Sequence, residues 1–242
     1  MKSSVDQIRE RFDRDVDRFS SLETGHSAIM DSLLMLDLIT KSAAAVSPRA
    51  SSLLDIGCGA GNYSLKMLGV IPDLNVTLVD LSQPMLDRAL ERIQPATKGK
   101  VAAFQADIRD LPLAAEQFDI ILAGAVFHHL RADTEWQAVF AKCFQALKPG
   151  GSLWIADLVE HAAAPVGVLM RERYGEYLSN LRDEKYRDQV FAYIEGEDTP
   201  RSLLYQLDVL RAVGFSDVEV LHKNSCFAAF GGIKRQAGRQ IV

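Results

Sequence analysis

The stretch Leu-Leu-Asp-Ile-Gly-Cys-Gly-Ala-Gly at residues 53–61 decides the fold. Its first four residues predict a short buried strand, and its three glycines predict a tight turn into a helix from Asn62. A strand that turns through glycines into a helix is typical of the first unit of a doubly wound α/β sheet. Small molecules bind such sheets at the carboxyl ends of the first strands, so Gly57, Gly59 and Gly61 mark the expected ligand site.

Strands and helices alternate after this turn. Further strands are predicted at residues 76–79, 101–105, 118–123 and 153–156. Helices that begin at Ser82 and Thr134 lie between them, and a strand pair at residues 218–221 and 226–230 follows a helix that Gly214 ends. Because parallel strands need right-handed crossovers, this alternation predicts a doubly wound, Rossmann-like α/β sheet.

The chain divides into a core and two helical parts. Residues 49–160 and 199–242 form the predicted Rossmann-like core. Residues 1–48 are predicted to fold as a helical cover over the ligand site, with helices at residues 3–20 and 27–45. Residues 161–198 are too long for a plain crossover and too patterned for a loop, which predicts two or three short helices forming a lid.

The composition argues against several classes of protein. A net charge of −5 disfavours broad binding to nucleic-acid phosphates. No apolar run approaches the roughly 20 residues that span a bilayer, and we expect no membrane association. The distant cysteines Cys58, Cys143 and Cys226 form no metal-ligand spacing and no disulfide framework. We therefore expect a cytoplasmic protein without a bound metal.

Acidic residues follow the next two predicted strands. Asp80 is placed to accept both hydroxyl hydrogens of a ribose, and Asp107 is placed to accept from an adenine amino group. A nicotinamide dinucleotide is the competing ligand, because its fingerprint also combines a glycine-rich loop with such an acid. That fingerprint places its third glycine three positions after the second, where this chain has Asn62, whereas here the glycine comes one residue earlier at Gly61.

With Asp55 before the glycines, the pattern Asp-x-Gly-x-Gly-x-Gly resembles motif I of the class I S-adenosylmethionine-dependent methyltransferases. The resemblance continues, in the family's order, through Asp80, residues 107–108, 118–121 and 147–151, and the terminal strand pair. It implies a seven-stranded, mostly parallel sheet whose last strand is antiparallel. It also implies S-adenosylmethionine as the cofactor.

The resemblance assigns cofactor-binding roles to ten residues: His26, Asp55, Gly57, Gly59, Gly61, Asp80, Leu81, Asp107, Ile108 and Ala123. The glycine backbone would contact the methionine part, with Asp55 helping through water or the amino group. Asp80 would hold the ribose and residues 107–108 the adenine, while Ala123 would border the sulfonium. Each set also has a structural interpretation: a bare tight turn for the glycines, a helix cap for Asp80 and a turn residue for Asp107.

Three residues are candidates for catalysis. Methyl transfer from a sulfonium is an in-line displacement, so the enzyme must mainly align the reactants and exclude water. His128 and His129 follow the fourth strand. Either can act as a base near neutral pH, or the two can cap their loop by bonding backbone atoms. Asp157, after the fifth strand, can face the acceptor or anchor its loop. In the lid, Arg171 and Arg173 either hold an acidic acceptor or belong to a solvated helix face.

A narrower resemblance connects residues 12–14, 24–27 and 210–215 with the carboxy-S-adenosylmethionine synthase group. Members of that group have a tyrosine near the position of His26, at the methionine end of the cofactor. They also use an arginine to hold the extra carboxylate, and this chain has Gln206 at that position. A neutral amide cannot replace the two charged hydrogen-bond donors with which a guanidinium group holds a carboxylate. The difference therefore favours ordinary methyl transfer over use of the carboxylated cofactor.

These patterns predict a methyltransferase that acts on a small-molecule acceptor. The alternatives are a carboxy-S-adenosylmethionine synthase-like enzyme of tRNA modification and a non-catalytic S-adenosylmethionine-binding module. The acidic net charge and the lid favour the small-molecule acceptor over nucleic acid. Pairing of two subunits through the amphipathic N-terminal helix remains open.

Overall fold

A computed structural model describes residues 2–21 and 25–235 of the chain. Its strands are β1 (Ser52–Ile56), β2 (Asn75–Asp80), β3 (Val101–Gln105), β4 (Phe118–Gly124), β5 (Leu147–Leu158), β6 (Asp217–Asn224) and β7 (Phe227–Ile233). Its helices are α1 (Val5–Arg14), α2 (Val16–Ser20), α3 (Ser32–Val46), α4 (Asn62–Leu68), α5 (Gln83–Ile93), α6 (Asp133–Ala146), α7 (Ala164–Leu181), α8 (Glu184–Glu197) and α9 (Leu203–Val213). Thr24 and residues 236–242, which belong to the motifs and core proposed above, lie outside the described residues.

The strands form one sheet in the order β3-β2-β1-β4-β5-β7-β6. Strands β1 to β5 pair in parallel, and β7 pairs antiparallel with both β5 and β6. The strand order reverses between β1 and β4, which is where open α/β sheets bind ligands. This topology confirms the predicted seven-stranded, mostly parallel sheet with an antiparallel last strand.

Apolar clusters cover both faces of the sheet. On β4, Ile120 and Leu122 belong to one cluster, and Ile121 and Ala123 belong to the other. This division follows from the alternation of side chains along a strand. The first cluster packs mainly under α3, α4 and α5, and the second under α6 and α9. Because both faces are buried, β4 is almost continuously apolar, as expected for a central parallel strand.

Three boundaries differ from the sequence-based expectations. The single helix predicted at residues 3–20 is interrupted at Asp15, which ends α1 and precedes α2. The second helix begins at Ser32 rather than residue 27, because Asp31 has a φ of 56° and cannot continue a right-handed helix. Strand β5 begins at Leu147, since that residue already pairs with Phe118 before an irregularity in the register.

The segment at residues 161–198 folds mainly as the two helices α7 and α8, which are longer than the short helices predicted. The hydroxyl of Tyr174 donates to the carbonyl of Ala28 at 2.9 Å, and the hydroxyl of Tyr177 donates to that of Ser27 at 2.8 Å. The helix pair is therefore attached to the chain that leads into α3. Among the described residues, no helix is both long enough and apolar enough to cross a membrane.

Candidate cofactor site

Two adjoining cavities lie at the carboxyl ends of β1, β2 and β4. They share five lining residues, Gly57, Asp80, Leu81, Val126 and His129, and we call the pair the strand-end cleft. One cavity has about 740 Å³ of open space and is also bordered by Phe12, Phe19, His26 and Tyr63. The other has about 810 Å³ and extends to Asp107 and Ile108. The cleft therefore has an aromatic end and an end beside β3.

The glycine loop between β1 and α4 shapes the floor of this cleft. Gly57, Gly59 and Gly61 have φ values of 64°, 50° and 83°. A Cβ atom on Gly57 would lie 2.5 Å from Val126, and one on Gly61 would lie 2.6 Å from Ile93. A Cβ on Gly59 would meet no atom within 4 Å. Packing thus requires glycine at two positions, whereas Gly59 leaves open space where a ligand can approach the backbone.

Asp80 connects the end of β2 to the glycine loop. Its Oδ2 accepts from the N–H of Gly59 at 2.8 Å, and its Oδ1 accepts from the N–H of Ser82 at 2.9 Å. Burial raises the pKa of the Asp80 carboxyl above its usual value, against the effect of these donors. Ser82 caps α5 by accepting from Met85. Since Ser82 fills the cap, the Asp80 carboxylate is available at the cleft.

Asp55 lies behind the loop and lines neither cavity. Its Oδ2 accepts from the hydroxyl of Ser64 at 2.6 Å and from the backbone N–H of Ser64 at 3.2 Å. These bonds fasten β1 to the first turn of α4. Because the side chain is completely buried, its pKa is raised to about 7. The structure therefore places Asp55 as a support of the loop.

The raised pKa of Asp55 predicts a pH-dependent stability. The unfolded chain releases this proton near pH 3.8 and the folded chain near pH 7, so the contribution of Asp55 to stability falls as the pH rises between those values. Between pH 4 and pH 8, we expect the free energy of unfolding of the Asp55→Asn variant to rise relative to that of the wild type by on the order of 4 kcal/mol. Urea denaturation at several pH values measures this difference.

Asp119→Asn is the control for this prediction, because the contribution of Asp119 to stability should change with pH in the opposite direction. Burial opposes ionisation of Asp119, but Lys148, Ser51 and Ser52 outweigh it and lower the pKa of its carboxyl. Its contribution is complete at neutral pH and is lost only as the pH falls toward about 4 and below. A parallel pH profile for Asp55→Asn and the wild type between pH 4 and pH 8 would contradict the raised pKa.

The end of the cleft beside β3 contains Asp107 and Ile108, the residues that the sequence analysis assigned to adenine. Arg109 is an unpredicted neighbour: its Nε and Nη2 donate to the Asp107 carboxylate at 3.0 and 2.6 Å. Burial favours the neutral form of Asp107, but the guanidinium outweighs it and lowers the pKa. Arg109 also pairs with Glu135 at 3.0 Å. A carboxylate fixed in this way retains lone pairs for an external donor.

His128 and Asp157 form a buried pair outside the lining of the cleft. Oδ1 of Asp157 contacts Nδ1 of His128, and its Oδ2 accepts from the backbone N–H groups of Phe127 and His128 at 2.8 and 3.2 Å. Burial alone would lower the pKa of His128, but Asp157 and Asp198 raise it to about 9. A histidine that is protonated at neutral pH cannot accept a proton there, so this geometry suits a positioning role.

His129, by contrast, borders both cavities. Its ring meets the edge of Phe12 with 6.1 Å between centroids, and its Nδ1 lies 3.3 Å from Oδ1 of Asp198. Burial, followed by the charges of neighbouring cations, lowers the pKa of His129 well below its usual value. Burial also raises the pKa of Asp198, to about 6. The sequence analysis did not identify Asp198, because the pattern of residues 161–198 does not predict that this residue lies close to His129.

His26 and Ala123 occupy different surroundings. His26 lines the aromatic end of the cleft, with its ring 5.9 Å from that of Tyr63 and its Nε2 3.5 Å from the amide nitrogen of Asn62. Ala123 is fully buried in the second apolar cluster and borders neither cavity. Residues 124–126 line the cleft in its place. The part of this segment that faces the cleft therefore begins one residue after Ala123.

The lid residues border a separate groove beside the carboxyl end of β5, here called the outer groove. It is lined in part by Arg171, Tyr174 and Asp198, and it shares no lining residue with the strand-end cleft. Arg171 pairs with Glu195 and lies over the ring of Phe191 at 4.2 Å. Arg173 is exposed. The geometry leaves neither arginine at the cleft.

Comparison with known proteins agrees with this architecture. A sequence family described as a methyltransferase domain matches residues 53–151. Malonyl-[acyl-carrier protein] O-methyltransferase of Halalkalibacterium halodurans is 32% identical over 160 residues, which cover 60% of this chain and 56% of that protein. Arsenite methyltransferase of Halobacterium salinarum is 29% identical, over 84% of this chain and 47% of that protein. The chain thus spans about half the length of these curated relatives.

A solved structure has the same fold over nearly the whole chain. It is the 1,6-didemethyltoxoflavin-N1-methyltransferase of Burkholderia thailandensis with bound 1,6-didemethyltoxoflavin and S-adenosylhomocysteine. The TM-score is 0.64 at 15% identity, covering 98% of this chain and 92% of the other. The sheet and its glycine loop define a Rossmann-like fold. More specifically, the central part of the chain, residues 53–151, matches a methyltransferase-domain family, and the curated relatives are named methyltransferases.

Proposed function

We propose that this chain transfers a methyl group from S-adenosylmethionine to a small-molecule acceptor. The observation that carries the proposal is the open space above Gly59, at the foot of a cleft that also presents Asp80 and Asp107. A Cβ atom at residue 59 would fill part of this space. The residues present therefore fit a nucleoside that lies against the loop.

Each part of the cofactor has suitable residues in the cleft. We assign the ribose to Asp80, the adenine to Leu81, Asp107 and Ile108, and the methionine end to the backbone of residues 57–59 with His26. Asp55 and Gly61 support this loop from behind, and Ala123 supports the neighbouring segment from the core. When bound, the cofactor supplies an electrophilic methyl group on a sulfonium. The chain must then align an acceptor with that group and exclude water.

The aromatic end of the cleft favours a small acceptor. Phe12 and Phe19 lie 5.6 Å apart on the N-terminal cover and close this end together with His26 and Tyr63. Such a covered apolar space suits a small molecule better than a nucleic-acid strand, and the net charge of −5 agrees. His129 and Asp80 are the ionisable residues shared by the two cavities. Because Asp80 is assigned to the ribose, we assign contact with the acceptor to His129. We place the protein in the cytoplasm as part of this proposal.

The carboxy-S-adenosylmethionine synthase alternative is not favoured. Gln206 borders neither cavity, and its amide donates to the carbonyl of Arg201 at 3.0 Å. It therefore offers no charged group to a carboxylated cofactor.

Calorimetric titration tests the proposal at the level of the ligand. We expect S-adenosylmethionine and S-adenosylhomocysteine to bind the purified chain and NAD to bind far more weakly. Equal or tighter binding of NAD would refute the assignment of the cleft. Transfer is then tested with methyl-labelled S-adenosylmethionine and a mixture of small-molecule extracts, where label must enter an extractable product only when active protein is present.

Asp80→Ala tests the ribose contact. The substitution leaves ribose hydroxyls without their acceptor, which weakens S-adenosylmethionine binding by about 1–3 kcal/mol, or roughly 5-fold to 150-fold. Asp87→Ala is the control, because Asp87 is exposed on α5 and pairs only with Gln83 among the contacts described. If Asp80→Ala binds S-adenosylmethionine as tightly as the wild type, Asp80 only supports the structure of the loop.

A further inference from the structure

His129 and Asp198 carry buried polar atoms that the chain leaves without well-formed hydrogen bonds. Within residues 2–21 and 25–235, both ring nitrogens of His129 and Oδ1 of Asp198 lack a hydrogen bond of good geometry. Their nearest polar neighbours are each other, with Nδ1 of His129 3.3 Å from Oδ1 of Asp198, and the backbone of Glu197 beside the His129 ring. The side chain of Asp198 is only 2% exposed. A buried polar atom without a hydrogen bond destabilises the fold, and a charged one does so more strongly. Three such atoms on two neighbouring side chains indicate a missing partner.

We propose that His128, His129 and Asp198 bind a divalent transition-metal ion; we call these residues the histidine cluster. Their donor atoms all lie within 4.8 Å of one another. Oδ1 of Asp198 is 3.3 Å from Nδ1 of His129 and 3.7 Å from Nε2 of His128. Metal–ligand bonds of about 2.0–2.2 Å separate tetrahedral donors by roughly 3.4 Å. The two distances from Asp198 are therefore close to the spacing that a bound ion imposes.

The surroundings of His128 support this assignment. Its Nδ1 contacts Asp157, which leaves Nε2 directed toward Asp198. A carboxylate on one ring nitrogen and a metal on the other is the usual arrangement of metal-binding histidines, because the carboxylate fixes the ring and its tautomer. Asp157 itself is held by the backbone N–H groups of Phe127 and Leu158 at 2.8 and 2.7 Å. This ligand is therefore already oriented.

The donor types and charges define the class of ion. Two imidazoles and one carboxylate suit Zn²⁺ or Fe²⁺, whereas Mg²⁺ and Ca²⁺ prefer oxygen ligands. The carboxylates of Asp157 and Asp198 lie beside the histidines, while Glu197 is paired with Arg11 at 2.8 Å. A dication that displaces the proton of His128 would balance the charges of the Asp157 and Asp198 carboxylates. Three protein ligands leave coordination positions open, as in catalytic rather than structural sites, and His129 borders the strand-end cleft.

Metal titration of the whole chain tests this inference and does not depend on methyl transfer. The chain is stripped with a chelator and dialysed, then titrated with Zn²⁺ in competition with a chromophoric chelator and with Co²⁺ by visible absorption. We expect one site per chain, visible Co²⁺ bands and no competition from Mg²⁺. Asp198→Asn and His129→Gln should each weaken Zn²⁺ binding at least about tenfold and remove the Co²⁺ bands.

The controls separate loss of the site from loss of the fold. His222→Gln alters a histidine–aspartate contact outside the cluster, where His222 lies 2.8 Å from Asp31, and should leave Zn²⁺ binding unchanged. Circular dichroism of each metal-free variant verifies that it is folded. The inference is overturned if the wild type shows no site, or if folded Asp198→Asn and His129→Gln bind Zn²⁺ as tightly as the wild type. If the wild type binds no metal and the Asp198→Asn variant is more stable than the wild type, the inference is also overturned. That result would indicate that a buried proton, and not a metal ion, occupies the histidine cluster.

Discussion

The Gly59→Asn variant will lose S-adenosylmethionine affinity by about a hundredfold or more, equivalent to about 2.7 kcal/mol, while its melting temperature stays close to that of the wild type. Gly59 has a φ of 50°, and a Cβ atom there would meet nothing within 4 Å. Asparagine tolerates this left-handed conformation better than most residues, so the fold accepts it. Its side chain, however, would occupy the space that the cofactor needs.

Gly61→Ala is the matched comparison within the same loop. Here a Cβ atom would lie 2.6 Å from Ile93 and 3.3 Å from Ala89, at a φ of 83°. Strain and overpacking together should reduce the free energy of unfolding by about 2–4 kcal/mol. Because Gly61 borders neither cavity, the folded fraction should bind the cofactor within a few-fold of the wild type. Similar losses of affinity in both variants would mean that Gly59 acts only through the shape of the loop.

Asp157→Ala will reduce the free energy of unfolding by about 3–5 kcal/mol, and the melting temperature will fall by roughly 10 °C or more. Asp157 is 1% exposed and accepts from the backbone N–H groups of Phe127, His128 and Leu158 as well as contacting the His128 ring. Removing the carboxylate leaves buried donors unpaired and His128 without its counter-charge. Differential scanning calorimetry measures both quantities.

Two substitutions calibrate this result. Asp208→Ala removes an exposed carboxylate that pairs with Arg211 at 3.1 Å, and should change stability by less than about 0.5 kcal/mol. Asp157→Asn retains one acceptor oxygen for the backbone of residues 127–128, so it should be less destabilising than the alanine variant. A melting temperature of Asp157→Ala within about 2 °C of the wild type would show that this pair contributes little.

The sheet was predictable because its determinants are local. Apolar runs bounded by turns identify strands, and the glycines at residues 57–61 identify the first strand-to-helix turn without any tertiary information. Boundaries failed where tertiary contacts decide them. Asp31 begins α3 late although the apolar stripe continues on both sides of it, and Leu147 joins β5 because it finds a partner in Phe118.

The position of the candidate residues in the fold was predictable to the same extent. Asp80, Leu81 and Asp107 reach the cleft because they follow parallel strands whose carboxyl ends meet at one edge of the sheet. The histidine cluster could not be found this way, since Asp198 lies about 70 residues beyond His128 and no metal-ligand spacing links them. The expectation of a protein without a bound metal rested on the absence of such a spacing, and the folded geometry now suggests the opposite.

The position of β7 has a consequence for biosynthesis. This strand is inserted between β5 and β6, although it follows β6 in the chain. While residues 227–233 are still inside the ribosome, β5 has an open edge and β6 has no neighbour. The nascent sheet therefore exposes a strand edge with unpaired backbone N–H and C=O groups until β7 has been synthesised and has paired. A chaperone would protect the chain from aggregation during this interval.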